Sequence, residues 1–363
     1  MNIKPEISVI MSVYNGEKYL AEAIDSIIGQ TFKSWELIIV NDCSLDSTGE
    51  ILERYALQDE RIRVLSNEVN LKLPTSLNKA IENSRGRYIA RMDADDISLP
   101  ERLEKQYSFM ENNKDVDLSS CRFMNLKGEA YYSGGCGGRC DSDALNALLL
   151  VTNPILHPGV IAKAEVMKEL NYDTSLTCSE DLELWTRMVS KGKKIQILPR
   201  CLLLYRLHDK QITQTTLERQ HSEVLKIQNK LYRALLDDMS EEMQSFYITG
   251  VYFKENADVN KFIHYAKWLK SVNRKKKFFK RDAIDYALFE MLAEYKRCGV
   301  SKTDVLRAMS LFAPTFLVKE IVRRKKTAKR DIAICMEVAD KLSLIQTSGT
   351  KNFPVFSKGT GRS

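Results

Sequence analysis

The stretch Gly86-Arg87-Tyr88-Ile89-Ala90-Arg91-Met92-Asp93-Ala94-Asp95-Asp96-Ile97 reads as a short apolar strand, 88–92, that runs directly into a cluster of carboxylates. Before it, apolar strand-like runs alternate with amphipathic helix-like runs. Residues 7–13 are one continuous apolar run, of the kind buried on both faces of a sheet. Residues 17–28 place Tyr19-Leu20, Ala23-Ile24 and Ile27-Ile28 at helical spacing. Strands over 36–40 and 62–65 and helices over 47–55 and 75–83 complete the series. This alternation specifies an α/β fold on a mostly parallel sheet flanked by helices. Ligands in such sheets bind beyond the carboxyl ends of the strands. Val13-Tyr14-Asn15, Asn41-Asp42 and the acids from Asp93 to Asp96 all stand at those ends.

From about residue 211 the texture changes to helical periodicity, over 217–239, 261–272, 283–295 and 304–322. The expected organisation is an α/β domain over 1–210, a mainly helical C-terminal module over 211–346, and a disordered tail over 347–363 rich in Gly, Ser, Thr and Lys.

The 363 residues are 44% hydrophobic and 28% charged, which is ordinary for a soluble globular protein. No run approaches the ~20 apolar residues of a membrane-spanning helix, and no apolar signal stretch precedes the first strand. The expected address is the cytoplasm, with peripheral attachment to the inner face of the membrane as an option. The eight cysteines follow no disulfide framework and are read as free thiols. Cys136 and Cys140 form a close pair in a glycine-rich loop, but no second Cys or His pair stands at zinc spacing.

Asp93, Asp95 and Asp96 offer hard oxygen ligands, and Mg²⁺ typically pairs one or two carboxylates with substrate phosphates. The competing reading is turn or capping chemistry, since Pro100-Glu101 opens the next helix. Asp42 could accept the imide hydrogen of a uracil ring, with Tyr14 flanking that ring and backbone groups around Ser12 completing its edge. Asn41-Asp42 can equally be a turn, and Tyr14 a packing residue.

At this point the sequence resembles glycosyltransferase family 2, the inverting enzymes of the GT-A fold. The likeness is carried by residues 7–16, by 35–44 with Asp46-Ser47-Thr48, by 86–97, by Asn153-Pro154-Ile155-Leu156-His157-Pro158, and by Ser179-Glu180-Asp181-Leu182-Glu183-Leu184-Trp185. Five motifs in the expected order cover roughly residues 5–210. The resemblance implies a nucleotide diphosphate sugar donor, UDP first, and Mn²⁺ or Mg²⁺ as cofactor. It implies that Asp42 reads the base, that Asp93 approaches the ribose and diphosphate, and that Asp95 is the main metal ligand. Asp181 matches the general base, which direct displacement requires because the attacking hydroxyl must lose its proton. Without the resemblance, Asp181 reads as a helix-start carboxylate behind an N-cap Ser179. Tyr205-Arg206-Leu207-His208 resembles the stretch that covers the diphosphate, which places Arg206 on phosphate and His208 on phosphate or metal. His157 falls on the acceptor side, or is a hydrogen-bonded structural histidine. Three departures stand out: Ser12 for the usual Pro, Asn41-Asp42-Cys43 for Asp-Asp-Gly, and Lys72 where Gly is commoner.

The net charge of +7 is concentrated in part at 274–281 and 323–326, where cations stand beside aromatic or apolar residues. That combination suits an anionic membrane surface or, more simply, a solvated helical face. No nucleic-acid module is present, so nucleic acid is not an expected partner. The expected acceptor is a saccharide or a lipid-linked saccharide, as for relatives that build surface polysaccharide. Two other functions compete. A sugar-phosphate nucleotidyltransferase would show a Gly-rich phosphate loop after the first strand, which Val13-Tyr14-Asn15-Gly16-Glu17 is not. A non-catalytic carbohydrate-binding scaffold would tolerate loss of Asp93, Asp95 and Asp181, and all three are present.

Overall fold

The computed structural model describes residues 4–134, 138–208, 217–236, 240–247 and 257–312, together with Phe316 and Arg323. Cys136, Pro314, the basic residues 324–326 and the tail from 347 lie outside the described residues, as does all but Phe316 of the expected helix after Phe312.

The chain alternates β1 (Ile7–Val13), α1 (Leu20–Ile28), β2 (Trp35–Asn41), α2 (Thr48–Gln58), β3 (Ile62–Ser66), α3 (Lys72–Glu82) and β4 (Tyr88–Arg91). It continues with β5 (Ile97–Ser98), α4 (Arg102–Asn112), β6 (Leu118–Lys127), β7 (Ala130–Ser133), α5 (Ser142–Leu148), β8 (Ile161–Lys163), α6 (Ala164–Leu170), α7 (Glu180–Ser190) and β9 (Ile195–Arg206). Helices α8 (Leu217–Leu235), α9 (Glu241–Phe246), α10 (Val259–Lys276), α11 (Arg281–Arg297) and α12 (Lys302–Phe312) follow. Helix α3 starts three residues earlier than its periodicity predicts, because Pro74 is tolerated in a first turn.

One sheet runs in the order β3-β2-β1-β4-β8-β6-β9-β5, with β7 beside β6. The β1–β4 half is parallel, as is the long β6–β9 pairing, whereas β8, β5 and β7 join by short antiparallel ladders. Alternate residues of the apolar strands feed two cores, one on each face. Val9, Met11, Leu37, Ile39 and Ala90 pack with α1, α2 and α4, while Ile10, Ile38, Val40 and Ile89 face α3, α5 and α7. This explains why the strands read as unbroken apolar runs. Gly86 lies so close to β1 that a Cβ there would sit 2.5 Å from the Ser8 backbone nitrogen.

The second core does not stop at the α/β elements. Leu145, Leu148 and Leu149 belong to one apolar cluster with Tyr232, Tyr265, Leu269, Tyr286 and Leu292 of the C-terminal helices. Helix α11 packs on α5, and α8 on α7. The described cysteines are all free. No helix among the described residues is long and apolar enough to cross a membrane.

Candidate active site

The β4 strand ends at Arg91, a buried guanidinium that pairs with Asp93 two residues on. A short β5 then sends the chain back along β9, with Ile97 opposite Leu204. This pairing brings Arg206 and His208 onto the acids, more than a hundred residues from them in sequence. The Arg206 backbone N–H donates to Asp96 Oδ1 at 2.9 Å, and its Nε donates to the Asp95 carbonyl at 2.7 Å. Its guanidinium also pairs with Glu22 and lies 4.4 Å from the Tyr19 ring centroid. Arg206, expected on phosphate, thus stands beside the acids and holds the backbone that presents them. His208 Nε2 lies 2.8 Å from Asp95 Oδ2, and its ring packs beside Tyr19.

Asp93, Asp95 and Asp96 can each offer an oxygen such that all three lie within 4.8 Å of one another. Burial pushes Asp93 up to about 6, with Asp95 adding to the rise and Arg91 opposing it. Burial also raises Asp96 well above the carboxylate range, reinforced by repulsion from Asp93 and Asp95. Among the described residues, the buried Asp96 Oδ2 has no hydrogen-bond partner. Crowded hard oxygens beside one imidazole, with an orphaned carboxylate oxygen among them, suit a divalent cation such as Mn²⁺ or Mg²⁺.

Asp42, at the end of β2, is 2% exposed. Its Oδ1 accepts Asn67 Nδ2 at 2.7 Å and the Leu71 N–H at 2.8 Å, and its Oδ2 accepts the Lys72 N–H at 2.9 Å. The carboxylate therefore shapes the 67–72 loop, and Oδ2 keeps one lone pair for a further donor. Tyr14 is half-exposed and Ser12 half-buried on the adjoining β1 end. The two positions where glycine is the commoner residue, Cys43 and Lys72, have φ of 63° and 71°. Both are left-handed conformations that favour glycine.

A second acidic group stands at the start of α7. Asp181 Oδ2 accepts Asn153 Nδ2 at 2.8 Å, and its Oδ1 accepts the Leu182 N–H at 2.6 Å. Ser179 occupies the N-cap position without a side-chain capping bond. Burial raises Asp181, which the hydrogen bonds from Leu182 and Asn153 oppose. Its neighbour Glu180 is pushed up to about 8 by burial and by the Asp181 charge. His157 Nδ1 is 3.7 Å from Glu180, and its Nε2 is 2.7 Å from the Tyr172 hydroxyl. Burial, with Arg91 nearby, keeps that imidazole neutral by lowering it well below the usual histidine range. The two acidic groups feel each other, since Asp181 contributes to the rise of Asp93.

Asp93, Asp95 and His208 thus come together as a unit, Asp42, Tyr14 and Ser12 line neighbouring strand ends, and Asp181 opens α7 within electrostatic reach of Asp93. Sequence reasoning assigned no role to Arg91, Asn153, Glu22 or Tyr172. Arg91 had a signal, a cation inside an apolar strand. Asn153 had a weaker one, its place in a quoted motif. Glu22 and Tyr172 had none, because only the tertiary pairing brings them in.

The chain is similar to known glycosyltransferases. Residues 8–158 match the model of glycosyl transferase family 2. An uncharacterized glycosyltransferase of Methanocaldococcus jannaschii is 39% identical over 208 residues, covering 56% of this chain and 71% of its own. The O-antigen biosynthesis glycosyltransferase WbnJ of Escherichia coli is 34% identical over 224 residues, covering 60% and 85%. The crystal structure of S. aureus TarS 1–349 in complex with UDP-GlcNAc shares the fold, with a TM-score of 0.55 at 16% identity over 86% of this chain and 92% of that one. With its acids at the carboxyl ends of a GT-A sheet and relatives of this identity and coverage, the chain belongs to glycosyl transferase family 2.

Proposed function

We propose that the protein moves a sugar, with inversion at the anomeric carbon, from a nucleotide diphosphate donor, UDP first, to a saccharide or lipid-linked saccharide acceptor. The observation that carries the reading is the convergence of Asp93, Asp95 and Asp96 within ligand distance of one another beside His208. In this reading Asp95 and Asp93, with His208, hold Mn²⁺ or Mg²⁺. When bound, the cation would neutralise charge developing on the departing diphosphate. Asp42 keeps its Oδ2 lone pair for the nucleotide base, Tyr14 flanks the ring, and backbone groups around Ser12 complete the edge. Arg206 holds the acid-bearing backbone through the Asp95 carbonyl and Asp96, and its position beside the acids supports a contact with the donor diphosphate.

Asp181 takes the acceptor hydroxyl proton as that oxygen bonds to the anomeric carbon. The bond from that carbon to the diphosphate oxygen breaks, and the nucleoside diphosphate leaves with the electron pair. Burial raises Asp181 towards working pH, which strengthens it as a base. UDP is favoured by the resemblance to TarS, whose complex contains UDP-GlcNAc. Surface polysaccharide is the favoured product class, since WbnJ is named for O-antigen biosynthesis.

The test is calorimetric binding of UDP, GDP and dTDP with and without Mn²⁺, on the wild type and Asp95→Ala. Metal-dependent binding of one nucleotide, lost in the variant, is expected. Binding of none of the three would remove the donor-site assignment.

A contact with anionic membrane is part of the same proposal. Arg274, Lys275 and Lys276 in the last turn of α10, and Lys277 and Phe278 just after it, are all exposed, which supports a surface that combines charge with an aromatic anchor. Vesicles containing phosphatidylglycerol should retain the wild type more than Lys275→Glu/Lys276→Glu, and equal retention would remove this contact.

A further inference from the structure

We propose that Asn153 is the positioning residue for Asp181, and that the C-terminal helices anchor the loop that carries it. The inference rests on the reading of Asp181 as the base. Among the described residues, Asn153 supplies the side-chain hydrogen bond to the Asp181 carboxylate, Nδ2 to Oδ2 at 2.8 Å. The amide cannot turn over freely, because Asn153 Oδ1 accepts the Ile155 N–H at 3.3 Å and so directs Nδ2 at Asp181. A neutral amide suits this task. It fixes the carboxylate rotamer, whereas a guanidinium in its place would depress the carboxylate by about 1–3 pKa units and blunt it as a base. Each Asp181 oxygen still has a lone pair for an acceptor proton.

The loop bearing Asn153 has no regular structure of its own, and it is pinned on both sides. Upstream, the Leu149 carbonyl accepts Gln228 Nε2 at 2.9 Å. The Leu150 carbonyl accepts two hydroxyls, Tyr232 at 3.1 Å and Tyr247 at 2.8 Å. All three donors belong to the C-terminal helices: Gln228 and Tyr232 lie on α8, and Tyr247 just past α9. Downstream, Ser120 Oγ donates to the Leu156 carbonyl at 3.0 Å. Buried carbonyls bonded in this way cannot shift without losing their partners. The helices therefore set where Asn153 stands, and Asn153 sets where Asp181 points.

The experiment compares wild type, Asn153→Ala, Tyr247→Phe and Asp181→Asn in the full chain, by crystal structure and by nucleotide release. The donors are UDP-N-acetylglucosamine, UDP-glucose and GDP-mannose, with water as acceptor. For Asn153→Ala the Asp181 carboxylate should leave its present rotamer, and kcat should fall on the order of 100-fold, as for a reacting group misplaced by about 1 Å. The donor KM and calorimetric UDP–Mn²⁺ binding should change less than about twofold, since ground-state binding is untouched. Tyr247→Phe leaves the Leu150 carbonyl its Tyr232 bond, so its loss should be smaller but of the same kind, in kcat alone. An unmoved Asp181 in Asn153→Ala overturns the proposal whatever donor is used, and so does wild-type kcat alongside an inactive Asp181→Asn. Turnover by Asp181→Asn equal to wild type instead overturns the assignment of the base itself.

Discussion

The acids beyond β4 and the acids opening α7 are chemically alike but differently supported. Around Asp93 to Asp96 the support includes two guanidinium groups, Arg91 on Asp93 and Arg206 on the backbone, with the His208 ring beside Asp95. Around Glu180 and Asp181 it comes from an amide, a neutral imidazole near Glu180 and, beyond that imidazole, a tyrosine hydroxyl. Guanidinium groups that offset part of the repulsion within a crowded oxygen set suit acids that bind a metal ion. Neutral donors suit one that must accept a proton during the reaction, because they lower its basicity less than a cation in their place would. The environment of a carboxylate, rather than its identity, divides the labour between the two sites.

Substitution at each site should separate these roles most sharply. Asp95→Ala should abolish metal-dependent nucleotide binding and lower turnover by on the order of 10³-fold or more. Asp181→Asn should leave nucleotide binding intact and lower turnover by roughly 10²–10⁴-fold, the usual contribution of a positioned base. Calorimetry and nucleotide release on the same preparations read both quantities. Loss of nucleotide binding in Asp181→Asn would merge the two sites into one and break the distinction.

The two sites also differ in how legible they are. Asp93 to Asp96 follow a strand that its apolar run announces, and a strand end in a parallel sheet is a place where ligands bind. The same logic located Asp42 and Tyr14. Asp181 could be named from sequence only through family resemblance, since locally it is one more acid in the first turn of a helix. Its partners arrive from the 149–157 loop, whose position depends on hydroxyls of Tyr232 and Tyr247 far along the chain. Helical periodicity announced α8 but could not say that it packs on α7. In the same way the antiparallel returns β8 and β5, which carry His157 and Arg206 into place, are too short for a periodic signal. Arg206 illustrates the limit: its motif could not show the bonds to Glu22 and the Asp95 carbonyl that the β5–β9 pairing brings within reach.

A pH measurement sharpens the contrast on the α7 side. Burial and the Asp181 charge push Glu180 up to about 8 in the fold, against 4.5 for an unburied glutamate. Between those values the native chain holds a proton that the unfolded chain has released, so this group's contribution to stability falls as pH rises through the window. The slope for one full proton is about 1.4 kcal/mol per pH unit. Glu180→Gln cannot ionise, so its melting temperature should fall less than that of the wild type between pH 5 and pH 8. Parallel melting curves for the two proteins would show that Glu180 is ionised in the fold.

The smallest effect is expected on the nucleotide side, at Lys72. Its backbone must adopt φ of 71° so that its N–H can reach Asp42 Oδ2 at 2.9 Å. A non-glycine residue pays roughly 1–2 kcal/mol for that conformation. Glycine would relieve the strain but adds about 0.5–1 kcal/mol of unfolded-state entropy to be lost on folding. The difference favours Lys72→Gly by roughly 0.5 kcal/mol, small but within reach of chemical denaturation at equal m-value. Lys72 is exposed at this position, so little packing is removed with its side chain. If Lys72→Gly is instead destabilised, or loses UDP affinity, the lysine side chain has a role at the donor site that outweighs the strain it imposes on the Asp42 loop.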